Sequence, residues 1–212
     1  IKMTKEEVIL KLKDIGLLAV VRVETIERGY EIAQGCLDGG VGALEISYTN
    51  NNAGTVIAAL KEKIWRSADC WSRNCFRWNN SKTCDHEWAQ FIIAPCYDED
   101  VQEMCNLYQI PYAPGCTSYT EMLTALKAGA SFIKAFPISN YYGPDLAKVI
   151  KVPCPQVPIM ASGGANFDNL ATWFKNGVDC VGLGGLLTKG TTEEIAANAK
   201  RLREIVLEVR EG

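Results

Sequence analysis

Ser131-Phe132-Ile133-Lys134-Ala135-Phe136-Pro137 is a short apolar run closed by proline and preceded by the turn-like Ala128-Gly129-Ala130. Without polar alternation it reads as a strand buried on both faces, the kind found in parallel sheets flanked by helices. Lys134 breaks the run. A buried ammonium is costly unless it is paired or gives up its proton, and burial lowers a lysine's pKa. A lysine that is neutral part of the time attacks ketones, the first requirement of Schiff-base chemistry. The plain alternative is a strand-end lysine that extends into solvent.

Outward from this strand, helical and strand patterns alternate. Helices are predicted over 5–13, 26–38, 53–63, 98–108, 119–128, 145–150, 168–176 and 192–210. Strands are predicted over 17–22, 43–47, 91–95, 111–115, 131–137, 157–161 and 180–184. Seven strand-plus-helix units are clear, and the gap between Lys63 and Phe91 is the right size for an eighth. Eight such units make a parallel α/β structure, a single (β/α)8 TIM barrel over residues 1–212 with an extra N-terminal helix. An open doubly wound sheet is the structural alternative, but no GxGxxG opens a first strand-helix turn.

Bulk properties exclude several classes of function. The 212 residues are 48% apolar and 22% charged, with a net charge of −3. Nothing in that balance points to nucleic acid as a partner. No apolar run approaches the ~20 residues of a membrane span, and nothing at the start reads as a signal peptide. The nine cysteines show no disulfide framework and read as reduced thiols of a cytoplasmic protein.

Residues 65–88 fit none of this periodicity. Trp65, Trp71, Trp78 and Trp88 fall here, with His86, Cys70, Cys75 and Cys84. A zinc site from the three cysteines and the histidine has none of the usual CxxC spacing. A solvated surface loop suits four tryptophans poorly. A frame shift explains more. Synonymous codons can be chosen for Trp65 to Trp88 that, read one nucleotide later, encode GDQLIVGAGTVLDGTTARLAIMNG. That string holds a strand, a turn and an amphipathic helix ending in Asn-Gly, which is the missing eighth unit at unchanged length. An intact mass matching the chain as written would rule out an error confined to the sequencing.

With that unit restored, the chain closely resembles the class I aldolases that cleave 2-keto-3-deoxy-6-phosphogluconate, also called 4-hydroxy-2-oxoglutarate aldolases. The resemblance is carried by Leu44-Glu45-Ile46-Ser47, residues 92–95, Pro114-Gly115-Cys116-Thr117, Ile133-Lys134-Ala135-Phe136-Pro137, Ser162-Gly163-Gly164 and Gly182-Leu183-Gly184-Gly185, together with the shifted-frame GAGTV. It implies a (β/α)8 barrel, a homotrimer and no metal or other cofactor. The implied reaction releases pyruvate from a phosphorylated 2-keto-3-deoxy sugar acid, and also from 4-hydroxy-2-oxoglutarate. The phosphogalactonate epimer is the alternative substrate, and a non-catalytic phosphosugar-binding barrel is the alternative outside enzymes. Thr49 stands where several members carry arginine, Ser162 where many have threonine, and Gly185 where some have serine. The family's GAGTV threonine falls at Asn74 as written.

Barrel sites lie at the C-terminal ends of strands, and the candidate residues do too. Lys134 is the Schiff-base nucleophile, and Glu45 the acid and base for its proton transfers. Glu45 read plainly is an ion-pair partner for a buried cation. Arg22 ends the first strand as a carboxylate clamp, a partner for Glu45, or a solvent-facing arginine. Ser162, Gly163 and Gly164, with Gly184 and Gly185, form two glycine turns suited to a phosphate, although such turns often only reverse the chain. Phe136 and Pro95 wall the pocket or simply pack. Thr117 lines it near the pyruvyl group or belongs to a helix N-cap. Cys116 lacks a histidine to activate it and is set aside.

Overall fold

The computed structural model describes residues 3–47, 53–64 and 90–212. Thr49, Asn74 and the Trp65–Trp88 segment lie outside the described residues, and with them the zinc alternative and the shifted frame. Within the described residues the predicted alternation is present. It begins with α1 (Lys5–Ile15), β1 (Leu17–Val21), α2 (Ile26–Asp38), β2 (Leu44–Ile46) and α3 (Ala53–Lys63). β3 (Ile92–Ile93), α4 (Glu99–Leu107), β4 (Tyr112–Ala113), β5 (Gly115–Cys116), α5 (Tyr119–Lys127) and β6 (Ile133–Ala135) come next. The chain finishes with α6 (Ser139–Tyr142), α7 (Asp145–Lys151), β7 (Ile159–Ser162), α8 (Leu170–Lys175), β8 (Cys180–Leu183), α9 (Gly185–Thr188) and α10 (Thr192–Glu211).

Local chemistry sets these boundaries. Thr4 and Glu7, Ser118 and Glu121, and Thr191 and Glu194 form reciprocal capping boxes that start α1, α5 and α10. Each satisfies backbone N–H groups that a helix start leaves open. α1 stops at Gly16, whose φ of +67° suits glycine. The helix predicted from Asp168 begins only at Leu170. The delay has a cause: the Asn166 carboxamide accepts the N–H groups of Asp168 and Asn169, a turn that competes with helix.

Six strands form a parallel sheet in the order β2-β1-β8-β7-β6-β5, and β3 pairs with β4, also in parallel. β4 and β5 are one predicted strand divided at Pro114, which has no N–H for the ladder. Its carbonyl still accepts the Lys134 N–H at 2.9 Å, while the Gly115 N–H reaches Ala94 O on the other side. The chain therefore passes from the pair into the larger sheet without leaving the ladder. The strand expected between β2 and β3 is not among the described residues.

Packing shows the curvature. Leu18, Ile93, Ala113, Met160 and Cys180, from five different strands, share one apolar cluster with Phe132 and Ala43. Strands far apart in sheet order can meet only on the concave side of a curled sheet. Val8 and Leu12 of α1 enter the same cluster, so the extra N-terminal helix plugs one end of that concavity. On β1 the alternate residues Leu17, Ala19 and Val21 face the other way, into a second cluster with Ile32, Trp173, Leu202 and Val206 of the covering helices. Phe132 is 1% exposed, and truncating such a ring to alanine costs about 3–5 kcal/mol. Among the described residues, no helix is long and apolar enough to cross a membrane.

Candidate active site

Because the strands are parallel, their C-terminal ends share one end of the sheet. Every residue picked out from the sequence lies there. Arg22 follows β1, and Glu45 lies within β2. Pro95 lies two residues past β3, and Thr117 follows β5. Lys134 lies within β6, with Phe136 next to its end. Ser162 closes β7 ahead of Gly163 and Gly164, and Gly184 and Gly185 follow β8.

Period-two alternation then fixes which side chains enter the concavity. Lys134 is two residues beyond Phe132, and Glu45 two beyond Ala43, both members of the inner cluster. Lys134 and Glu45 therefore form the next layer up. Lys134 Nζ lies 3.7 Å from Glu45 Oε1, with the side chains 8% and 7% exposed. The gap exceeds a direct hydrogen bond. Glu45 Oε2 has no hydrogen-bond partner among the described residues, an expensive state for a buried oxygen. The Lys134 ammonium also sits 5.0 Å from the centroid of the Phe136 ring, within range of the ring's negative face. Arg22 is exposed, and the ion pair of Glu45 is with Lys134, not with it.

Glycine gives this layer its room. Gly115 is paired with Lys134 across the ladder, and a Cβ there would run into the Pro95 carbonyl. The main chain beyond β3 therefore closes against β5 where any side chain would hold it off. Gly182 is paired with Ser162, where an added Cβ would stand 3.4 Å from Ser162 Oγ. Gly163 and Gly164 have φ of +99° and +80°, a region that favours glycine and turns the backbone sharply after β7.

Thr117 is at the right end, but its donors are committed. Its N–H and its hydroxyl both donate to Glu121 Oε2, at 2.7 and 2.8 Å. The Ser118 N–H donates to the same oxygen, and Ser118 is the residue that caps α5. The hydrogen bond from the Thr117 side chain, with those from the two backbone amides, holds the Glu121 carboxyl down at about 2. Burial pushes the Cys116 thiol up to about 12, which removes it further from nucleophilic service.

Two single-turn helices were not anticipated. α6 follows the Lys134 strand and α9 follows β8, and four residues are too few to show helical periodicity. α6 matters most. Ser139, fully buried, donates its hydroxyl to Ser162 O at 2.7 Å, tying the loop after β6 to the turn after β7. The sequence signal was the polar pair Ser139-Asn140 between Ile138 and two tyrosines.

Comparison with known proteins follows the same lines. The family model for KDPG and KHG aldolase matches residues 8–201. A 2-dehydro-3-deoxy-6-phosphogalactonate aldolase of Escherichia coli is 28% identical over 199 residues, covering 91% of this chain and 97% of that protein. A 2-dehydro-3-deoxy-phosphogluconate aldolase of Treponema pallidum is 26% identical over 76% of this chain and 77% of its own length. The solved structure described as native KDPGal superposes with a TM-score of 0.78, at 26% identity over 92% of this chain and 96% of that one.

Proposed function

Since the chain belongs to the KDPG and KHG aldolase family, we propose that it is a class I aldehyde-lyase working through a Schiff base on Lys134. Its substrate is a 2-keto-3-deoxy-6-phospho sugar acid of the gluconate type, cleaved to pyruvate and glyceraldehyde 3-phosphate. The same chemistry on 4-hydroxy-2-oxoglutarate gives pyruvate and glyoxylate. The observation that carries this reading is the buried Lys134–Glu45 pair, 3.7 Å apart, with one glutamate oxygen that has no hydrogen-bond partner among the described residues.

The steps follow from those atoms. The unprotonated Lys134 amine adds to the C2 ketone to give a carbinolamine, which loses water to an iminium. The C4 hydroxyl gives its proton to Glu45, directly or through a water in the gap. As the C4 oxygen becomes the aldehyde carbonyl, the C3–C4 bonding electrons move into the iminium. An enamine forms and glyceraldehyde 3-phosphate departs. The enamine takes a proton at C3, and water hydrolyses the resulting iminium to pyruvate and free lysine. Arg22 takes the substrate carboxylate, Thr117, Pro95 and Phe136 line the pocket, and Ser162-Gly163-Gly164 with Gly184-Gly185 cradle the phosphate.

A second substrate reading has its own support. The phosphogalactonate epimer is favoured by the Escherichia coli relative, matched over 97% of its length. In either case the reading carries a single (β/α)8 barrel domain. It also carries a cytoplasmic homotrimer, as the family resemblance implies.

Sodium borohydride added with pyruvate tests the chemistry. A reduced pyruvyl adduct on Lys134, found by peptide mass analysis and accompanied by inactivation, is the expected result. A folded protein that gains no adduct is incompatible with the Schiff base. Parallel assays with the two epimeric phosphosugar acids decide the substrate.

A further inference from the structure

The turn after β7 has a side chain pressed against it that the reaction scheme leaves unused. A Cβ added at Gly163 would collide with the Asn140 carboxamide, Oδ1 being its nearest atom, with Cγ and Nδ2 both 2.8 Å away. The amide thus occupies the space that a side chain at Gly163 would need. At Gly164, an added Cβ would meet the Ser139 carbonyl at 3.4 Å and Asn140 Cα at 3.6 Å. The start of α6 lies along the whole glycine turn.

This placement is held from behind. Ser139 is fully buried and bonded to the Ser162 carbonyl at 2.7 Å. The Asn140 N–H donates to Pro137 O at 3.1 Å. Neither bond uses the Asn140 carboxamide, which is exposed and makes no side-chain hydrogen bond among the described residues. Other asparagines nearby are used differently. Asn169 donates to the Gly164 carbonyl at 2.9 Å and accepts the Asn166 N–H. Asn176 donates to the Pro144 carbonyl. Those two are structural fasteners. Asn140 is fastened through its neighbour and its backbone, and its amide donors stay free beside the turn.

A phosphate dianion presents several strong acceptor oxygens, and a neutral amide at the rim can add a donor to the backbone N–H groups of the two turns. The assignment of Oδ1 and Nδ2 can be exchanged about the same plane, so the donor can face the anion. We propose that Asn140 donates to the terminal phosphate of the substrate and sets the preference for phosphorylated over unphosphorylated 2-keto acids. This rests on the reading of the glycine turns as the phosphate cradle. Asn140 follows Lys134 by six residues, with Lys134 in β6 and Asn140 in α6, so one continuous segment would bind both ends of the substrate.

The test compares Asn140→Ala and Asn140→Asp with the unaltered enzyme on the phosphorylated sugar acid and on 4-hydroxy-2-oxoglutarate. The ratio of the two kcat/KM values should fall about tenfold in the alanine variant, the effect of one hydrogen bond to a charged group. It should fall further in the aspartate variant, where a carboxylate faces the dianion. The loss should reside in KM for the phosphorylated substrate, and inorganic phosphate should inhibit the aspartate variant less than the unaltered enzyme. A ratio unchanged in both variants, or equal losses on both substrates, overturns the role of Asn140 and leaves the cradle standing. An unaltered enzyme that neither prefers the phosphorylated acid nor is inhibited by inorganic phosphate overturns the cradle and Asn140 with it.

Discussion

Lys134 and Glu45 lie near the C-terminal end of the strands, 3.7 Å apart, with Glu45 Oε2 lacking a hydrogen-bond partner among the described residues. At the opposite end, Asp179 stands just ahead of β8 and is fully employed. Its Oδ2 accepts Lys151 Nζ at 3.1 Å and the Ile159 N–H at 2.9 Å, while Oδ1 lies 3.6 Å from Lys13. Both regions join lysine to carboxylate. The less buried one, with the Asp179 side chain at 19% exposure, has each oxygen facing a lysine, while among the described residues the more buried one leaves Glu45 Oε2 without a hydrogen-bond partner. Stability alone would favour the reverse, because an unsatisfied group costs most where water is excluded. Under the proposed function, the oxygen without a partner in the dry region is the one available to move a proton.

Glu45→Gln attacks this contrast hardest. The amide keeps the shape but cannot take the C4 hydroxyl proton. Turnover should fall about 10²–10⁴-fold, measured by coupled steady-state assay, while the borohydride adduct with pyruvate persists. Retained turnover would make Glu45 only a partner for the ammonium. Asp179→Asn attacks the other side. It removes the charge facing two lysines and weakens the bond to the β7 backbone, at a cost of about 1–3 kcal/mol in urea unfolding. Activity per folded molecule should hold, and a selective loss of turnover would erase the distinction between the two ends.

The smallest effect concerns Glu121. Its carboxyl titrates lower in the folded protein than in the unfolded chain. It therefore adds stability above about pH 4.3, and that increment is lost as the pH falls toward about 2. Glu121 is exposed, so solvent screening keeps the increment small. Glu121→Gln should flatten acid unfolding slightly between those values. An acid limb identical to that of the unaltered protein would show that Thr117 and Ser118 are held by other means.

Much of this arrangement was legible in the residues. α2 and α3 have the boundaries expected of them, because apolar periodicity and flanking turn residues agree there. The Lys134 strand was visible because a charge interrupts an apolar run. The pairing of Lys134 with Glu45 was only partly visible. Alternation places each residue on a face, but curvature, which is a property of the whole sheet, brings β2 and β6 within reach. α6 and α9 were not legible, since a single turn has no period. That gap hid Asn140, whose significance depends on an added Cβ at Gly163 finding no space.

The position of β1 has a consequence for synthesis. β1 lies between β2 and β8, and β8 leaves the ribosome roughly 160 residues after β1, or about 8–30 seconds at ordinary elongation rates. For that interval one side of β1 has no ladder partner. Arg203 and Arg210 of α10, which grip the carbonyl groups at the end of α1, arrive later still. The nascent chain must carry an open apolar strand, Leu17-Leu18-Ala19-Val20-Val21, until β8 has emerged, and that strand is where a holding chaperone would have most to do.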